Sequence, residues 1–139
     1  MEWQRIGRRT YEQITRGGKG YQMIVAVDFD GTLTRTDDYP RAQPNHIGFH
    51  VIREFQKGGS KVILWTCRAG DELEYAVAFC RTFGLTFDAV NRNLPEMEQE
   101  WLQSGHTVSP KVFADVYVDD RGNTGIDWEA IDKLLNGGE

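Results

Sequence analysis

The chain has 139 residues and a formal net charge of −5, which is enough for one domain with its own core. The negative balance argues against a general nucleic-acid binder, and no apolar run reaches the length of about 18 residues needed to cross a bilayer. Neither a signal-peptide core nor a metal-like cysteine spacing is evident, so we expect a cytoplasmic protein whose thiols, Cys67 and Cys80, are reduced.

The first 22 residues differ in charge from the rest. Five basic side chains accompany two acidic ones there, a balance of +3, so residues 23–139 carry −8. We therefore expect a basic N-terminal extension over 1–22 and a single domain over 23–139. Such an arm could contact phosphate or an acidic partner, although a short, partly helical appendage ending in the glycine-rich loop 17–20 is the simpler interpretation.

Strands and helices are predicted to alternate after residue 23. Apolar runs predict four strands, at 23–27, at 61–66, over 87–91 and within 112–118. Four helices are predicted from Asn45, from Asp71 (with capping-box spacing to Glu74), over 96–103 and from Asp127. The first helix is expected to bury a stripe of Ile47, Val51, Ile52 and Phe55. This alternation is typical of an α/β fold with helices on both faces of a parallel sheet.

Polar side chains follow every predicted strand. The successive strand ends are followed by Asp28 and Asp30, by Thr66 and Arg68, by Asn91-Arg92-Asn93, and by Asp119-Asp120-Arg121. Because the carboxyl ends of parallel strands share one edge, where ligands bind in such sheets, these groups are expected to converge. Clustered carboxylates repel each other unless a cation or a shared proton intervenes, so the pattern indicates a divalent ion, an acid/base pair, or both.

Phosphoryl transfer is the chemistry that these residue types favour. Mg²⁺ could be held by Asp28, one of Asp119 and Asp120, and a backbone carbonyl, while Thr66 and Arg68 suit phosphate oxygens. Asp28 would attack phosphorus and form an aspartyl phosphate. Asp30 would protonate the leaving group and later accept a proton from water.

The segment Asp28-Phe29-Asp30-Gly31-Thr32-Leu33 resembles the first motif of the haloacid dehalogenase-like (HAD) superfamily. Leu64-Trp65-Thr66 resembles its second motif, and Val116-Tyr117-Val118-Asp119-Asp120 resembles its fourth. The resemblance implies a three-layer Rossmann-like fold and a Mg²⁺-dependent phosphatase. It also implies that Asp28 is nucleophile and metal ligand, that Asp30 is acid/base and offers its carbonyl to the metal, that Thr66 binds the phosphoryl group, and that Asp119 and Asp120 serve the metal.

The third motif of that superfamily, a Lys or Arg, is poorly matched. Lys111 has the right order, but a straight strand from Val112 would place it roughly 20 Å or more from Asp119, at about 3.3 Å per residue. Arg68 and Arg92 follow strand ends instead, so Arg68 is the predicted main cation.

No segment is long enough for a cap domain, and capless members of the superfamily tend to act on large or extended substrates or to cover the site by oligomerising. A small phosphorylated substrate is expected, and a nucleic-acid end phosphatase or a homo-oligomer stays open. Two alternatives belong to other classes, namely a receiver-like signalling domain and a catalytically silent phosphate-binding module. Membrane association is not expected.

Overall fold

The computed structural model describes residues 5–6, 9–10, 23–35, 43–120 and 126–137. Two short strands, β1 (Arg5–Ile6) and β2 (Arg9–Thr10), pair in antiparallel fashion within the N-terminal extension. The predicted glycine loop at 17–20 lies outside the described residues. The other elements, in chain order, are β3 (Ile24–Val27), α1 (His46–Lys57), β4 (Lys61–Leu64), α2 (Gly70–Thr82), β5 (Ala89–Val90), α3 (Pro95–Gln103), β6 (Val116–Val118) and α4 (Trp128–Asn136).

Strands β3 to β6 form a parallel sheet with the spatial order β5-β4-β3-β6, which confirms the predicted α/β class. After β3 the chain moves outward through β4 and β5, then returns as β6 on the other side of β3. The order therefore reverses between β3 and β6. In open α/β sheets, ligands bind outside the carboxyl ends of the strands at such a switch point.

Apolar side chains cover both faces of the sheet. Alternate residues of β3 point to opposite sides, so Val25 and Val27 join one cluster while Ile24 and Ala26 join the other. The first cluster contains side chains of α1, α2 and α4, and the second contains Leu94, Met97 of α3, and two residues of the segment before β6, Val112 and Ala114. Burial on both faces explains why the β3 sequence is continuously apolar rather than alternating.

Helix α1 begins where the sequence predicted. The Asn45 side chain accepts a hydrogen bond from the Gly48 amide at 3.1 Å, which satisfies a donor that the first helical turn leaves free. Gly48 lies directly against the ring of Trp128 in α4, and a Cβ there would come within 2.7 Å of it. The predicted stripe is correct at Val51, Ile52 and Phe55 and wrong at Ile47, which is 65% exposed.

Two local predictions are wrong. Helix α2 starts at Gly70 after Ala69, with no side-chain cap, so the proposed capping box at Asp71 does not form. The last strand, Val116–Val118, lies within the predicted range 112–118, but the straight strand from Val112 that was used to argue against Lys111 does not form. Val112 and Ala114 instead pack on the second face of the sheet, so the chain crosses that face before entering β6.

Asp115 anchors the start of β6 through two hydrogen bonds. Its amide donates to the Ile24 carbonyl at 2.8 Å, and its carboxylate accepts from the Ile24 amide at the same distance. These bonds join β6 to the amino end of β3. Among the described residues, no helix is long and apolar enough to cross a membrane.

Candidate active site

Three acidic side chains meet at the switch point between β3 and β6. Val27 pairs with Val118, and the Asp28 amide donates to the Val118 carbonyl at 2.9 Å, so Asp28 and Asp119 leave adjacent strands side by side. Carboxylate oxygens of Asp28, Asp119 and Asp120 all lie within 4.8 Å of one another. One cation could therefore contact all three, and the predicted convergence of these acids is confirmed.

The environment of Asp28 disfavours its negative charge. The pKa of Asp28 is raised from 3.8 to about 7, chiefly by burial and also by the charges of Asp119, Asp120 and Asp30, while a hydrogen bond from the Phe29 backbone acts in the opposite direction. A divalent cation would relieve this repulsion. Carboxylate oxygens are the ligands that Mg²⁺ prefers, so the donor set fits that ion.

Thr32 links the two halves of the acidic cluster. Its buried hydroxyl donates to an Asp28 carboxylate oxygen at 3.4 Å and accepts from the Asp120 amide at 3.1 Å. The same hydroxyl thus touches the end of β3 and the end of β6, which are far apart in sequence. The signal for this role in the sequence is a residue with a hydroxyl group directly after the Asp28–Gly31 turn.

Asp30 points to a different partner from the other acids. Arg68 donates to both of its carboxylate oxygens, from Nε and from Nη2, each at 2.8 Å. The Arg68 side chain is only 4% exposed, whereas that of Asp30 is 44% exposed. The structure therefore brings Arg68 to the predicted edge of the sheet, where two nitrogens of its guanidinium group bind the Asp30 carboxylate.

Thr66 lies two residues beyond β4, beside the end of β3. Val27 pairs with Leu64, and the Trp65 amide donates to the Val27 carbonyl at 2.9 Å, which aligns the two strand ends. The Thr66 amide donates to the Asn91 side chain at 2.8 Å, and its hydroxyl accepts from the Arg68 amide at 3.2 Å. Asn91 itself has a φ of +52°, a left-handed conformation that few side chains adopt.

The other predicted cations occupy different positions. Arg92 is exposed and pairs with Glu98 of α3. The Lys111 carbonyl accepts from the Asn93 side chain at 3.4 Å, and Asn93 lies beyond the carboxyl end of β5. The straight strand from Val112, which was the argument against Lys111, does not form. The Lys111 backbone instead lies near the edge of the sheet that carries the acids.

The sequence has a related protein of known structure. A conserved protein from Bacteroides thetaiotaomicron is 34% identical to this chain, and the match covers 84% of this chain and 92% of that protein with a TM-score of 0.70. The chain belongs to the family of that protein. The description of the Bacteroides protein names no activity, so the family relationship supplies no reaction. No family model and no curated protein matches the chain.

Proposed function

We propose that this protein is a Mg²⁺-dependent phosphatase of the HAD-like type, which hydrolyses a phosphomonoester through an aspartyl phosphate on Asp28. The observation that carries the proposal is the cluster of Asp28, Asp119 and Asp120 at the switch point. Their mutual repulsion, together with the raised pKa of Asp28, makes a bound divalent cation the simplest way to ionise the nucleophile at neutral pH.

The roles follow from position. Asp28, Asp119 and Asp120 would hold Mg²⁺, with the Asp30 carbonyl as the further ligand that the HAD resemblance implies. The ion would neutralise charge on the transferring phosphoryl group. An Asp28 carboxylate oxygen attacks phosphorus while Asp30, whose carboxylate is partly open to solvent, gives a proton to the leaving-group oxygen. Thr66 offers its hydroxyl to a phosphoryl oxygen from the adjacent strand end.

A small phosphorylated substrate suits the charge of the chain. The net charge of −5 opposes a polyanionic substrate, and the basic side chains that could favour a nucleic-acid end lie in the extension before residue 23. A cytoplasmic location and homo-oligomerisation stay expectations of the sequence.

The strand order weighs against a receiver-like function. Receiver domains of the flavodoxin-like type place their strands in the order 2-1-3-4-5, so that the first strand lies between the second and the third. In this chain the first strand of the parallel sheet, β3, lies between the second strand, β4, and the fourth, β6. The phosphate-release test described next distinguishes an enzyme from a catalytically silent phosphate-binding module.

The test is release of inorganic phosphate from a panel of phosphorylated metabolites with Mg²⁺ present. Wild-type protein should hydrolyse at least one of them, EDTA should abolish the activity, and Asp28→Asn should lose it. The control is Glu129→Gln, which removes one acidic charge at an exposed position of α4. Binding of Mg²⁺ and phosphate without turnover would favour the silent module, and turnover that survives Asp28→Asn would refute the nucleophile.

A further inference from the structure

Arg68 is a buried cation whose contacts are directed at one carboxylate. Nε and Nη2 of Arg68 each lie 2.8 Å from a different oxygen of Asp30, which is the parallel two-bond geometry that a guanidinium fork makes with a carboxylate. Such a pair fixes the plane of the carboxylate as well as its position. Because the Asp30 side chain remains 44% exposed, the free lone pairs of its oxygens can still face a ligand.

The guanidinium is itself held from several sides. It lies over the ring of Phe29, with 4.9 Å from the Cζ atom to the ring centroid, and 5.7 Å from the centroid of Tyr75. Nη1 also approaches the Glu72 carbonyl at 3.5 Å, and the Arg68 backbone amide donates to Thr66. These contacts restrict rotation of the Arg68 side chain. Through its two hydrogen bonds, Arg68 in turn restricts rotation of the Asp30 carboxylate.

We infer that Arg68 is a positioning residue that orients the Asp30 carboxyl group towards the leaving-group oxygen, rather than the group that binds the phosphate. The inference rests on the proposed function. It replaces the phosphate-binding role predicted from the sequence, because Nε and Nη2, one edge of the guanidinium, are already engaged with Asp30.

The reaction defines what such orientation would do. In the first step the bond from an Asp28 oxygen to phosphorus forms, the bond from phosphorus to the leaving oxygen breaks, and that oxygen takes the proton of Asp30. In the second step water attacks phosphorus, the bond to Asp28 breaks, phosphate leaves, and the proton of the water returns to Asp30. A misdirected Asp30 slows the first step most for substrates whose leaving group needs a proton.

The experiment compares three substrates, 4-nitrophenyl phosphate, phenyl phosphate and glycerol phosphate, whose leaving groups need protonation to an increasing degree. The variants are Asp30→Asn, Arg68→Gln, Arg68→Lys and the double variant Asp30→Asn/Arg68→Gln, and the exposed Arg81→Gln is the control for loss of a positive charge. The measured quantity is kcat/KM, since it reports the steps up to the first phosphoryl transfer. Circular dichroism confirms folding, and Arg68→Lys retains the buried charge if Arg68→Gln unfolds.

We expect Asp30→Asn to lose about 10²- to 10⁴-fold in kcat/KM on glycerol phosphate, the usual contribution of a general acid, and Arg68→Gln to lose at least about tenfold. Both should remain within about threefold of wild type on 4-nitrophenyl phosphate, whose leaving group needs no proton. The double variant should be no slower than Asp30→Asn alone. Arg68→Lys should resemble Arg68→Gln, because an ammonium cannot grip both oxygens.

Three results would overturn the inference. An equal loss on all three substrates with a raised KM, restored by Arg68→Lys, would make Arg68 a phosphate-binding group. Unchanged selectivity among the substrates in Arg68→Gln and Arg68→Lys would leave the pair a structural one. A wild-type protein that releases no phosphate with Mg²⁺ from these three substrates or from any member of the metabolite panel would remove the proposed function and this inference together, an outcome distinct from the other two.

Discussion

Without a bound metal, we expect the wild-type protein to be less stable than the variant Asp28→Asn, because the variant cannot carry the negative charge of Asp28 in the acidic cluster. Asp28→Asn keeps the size and shape of the side chain and removes the carboxylate that repels Asp119 and Asp120. Because the pKa of Asp28 is higher in the folded protein, its contribution to stability is complete below pH 3.8 and is lost as the pH rises through about 7. We therefore expect the variant to unfold at a higher temperature than the wild type above neutral pH.

The magnitude follows from the same values. The difference between 3.8 and about 7, at about 1.4 kcal/mol per pH unit, corresponds to about 4 kcal/mol. Part of the Asp28 carboxylate is open to solvent, which screens the repulsion, so we expect about 2 kcal/mol at pH 8. For a chain of this length that equals a rise in Tm of roughly 6–8 °C.

The assay is thermal unfolding of both proteins in EDTA at pH 5 and pH 8, repeated with Mg²⁺. The advantage of Asp28→Asn should grow between the two pH values. Saturating Mg²⁺, at about 100 times its Kd, should raise the unfolding free energy of the wild type by about 2.7 kcal/mol and that of the variant by much less. A variant that is less stable than wild type in EDTA at pH 8, or that gains equally from Mg²⁺, would refute the reasoning.

Three further outcomes test the supports of the site. Thr32→Val removes the hydroxyl between the two acidic strand ends and should lower the unfolding free energy by about 1–3 kcal/mol, measured by urea unfolding, with weaker stabilisation by Mg²⁺. Asn91→Ala should be less stable than Asn91→Gly by about 1–2 kcal/mol in the same assay, because glycine accepts the φ of +52° although both lose the bond to Thr66. A thiol reagent should label the exposed Cys67 in the native protein, and Cys80, whose pKa burial raises to about 12, only after denaturation.

The strands and the acidic positions were predictable because each leaves a local signal. A run such as Ile24–Val27 is apolar enough to indicate a strand buried on both faces, and carboxylates that follow two such runs in a parallel sheet must share an edge. The order of helices and strands then limits the topology to a few arrangements. Asn45 marked the first helix correctly because its side chain caps the first turn, a bond made within four residues.

The contacts within the site were not predictable in the same way. The bond from Arg68 to Asp30 spans 38 residues, and that from the Asp120 amide to Thr32 spans 88, so no local pattern encodes either. The assumption that the last strand runs straight from Val112 failed for a related reason. Apolar alternation shows that Val112 and Ala114 are buried, but not that they cover the face of the sheet instead of extending it.

The proposed reaction calls for a positive group on the phosphate. Arg68 already directs two of its donors to Asp30, and a phosphomonoester carries a charge of about −1.5 to −2. A cation that faces the phosphate from another part of the chain would stabilise the bound substrate.

Among the described residues, Lys111 is a candidate for that role. Its backbone lies by Asn93, beyond the carboxyl end of β5, whereas Arg92 is already paired with Glu98. Lys111→Ala should therefore lower kcat/KM by a similar factor for all leaving groups, by about tenfold if the lost interaction is worth about 1.4 kcal/mol. Arg92→Ala is the control and should have little effect. A loss in Lys111→Ala that depended on the leaving group would instead place Lys111 with Asp30, and an unchanged rate would require the second cation to come from a different part of the chain.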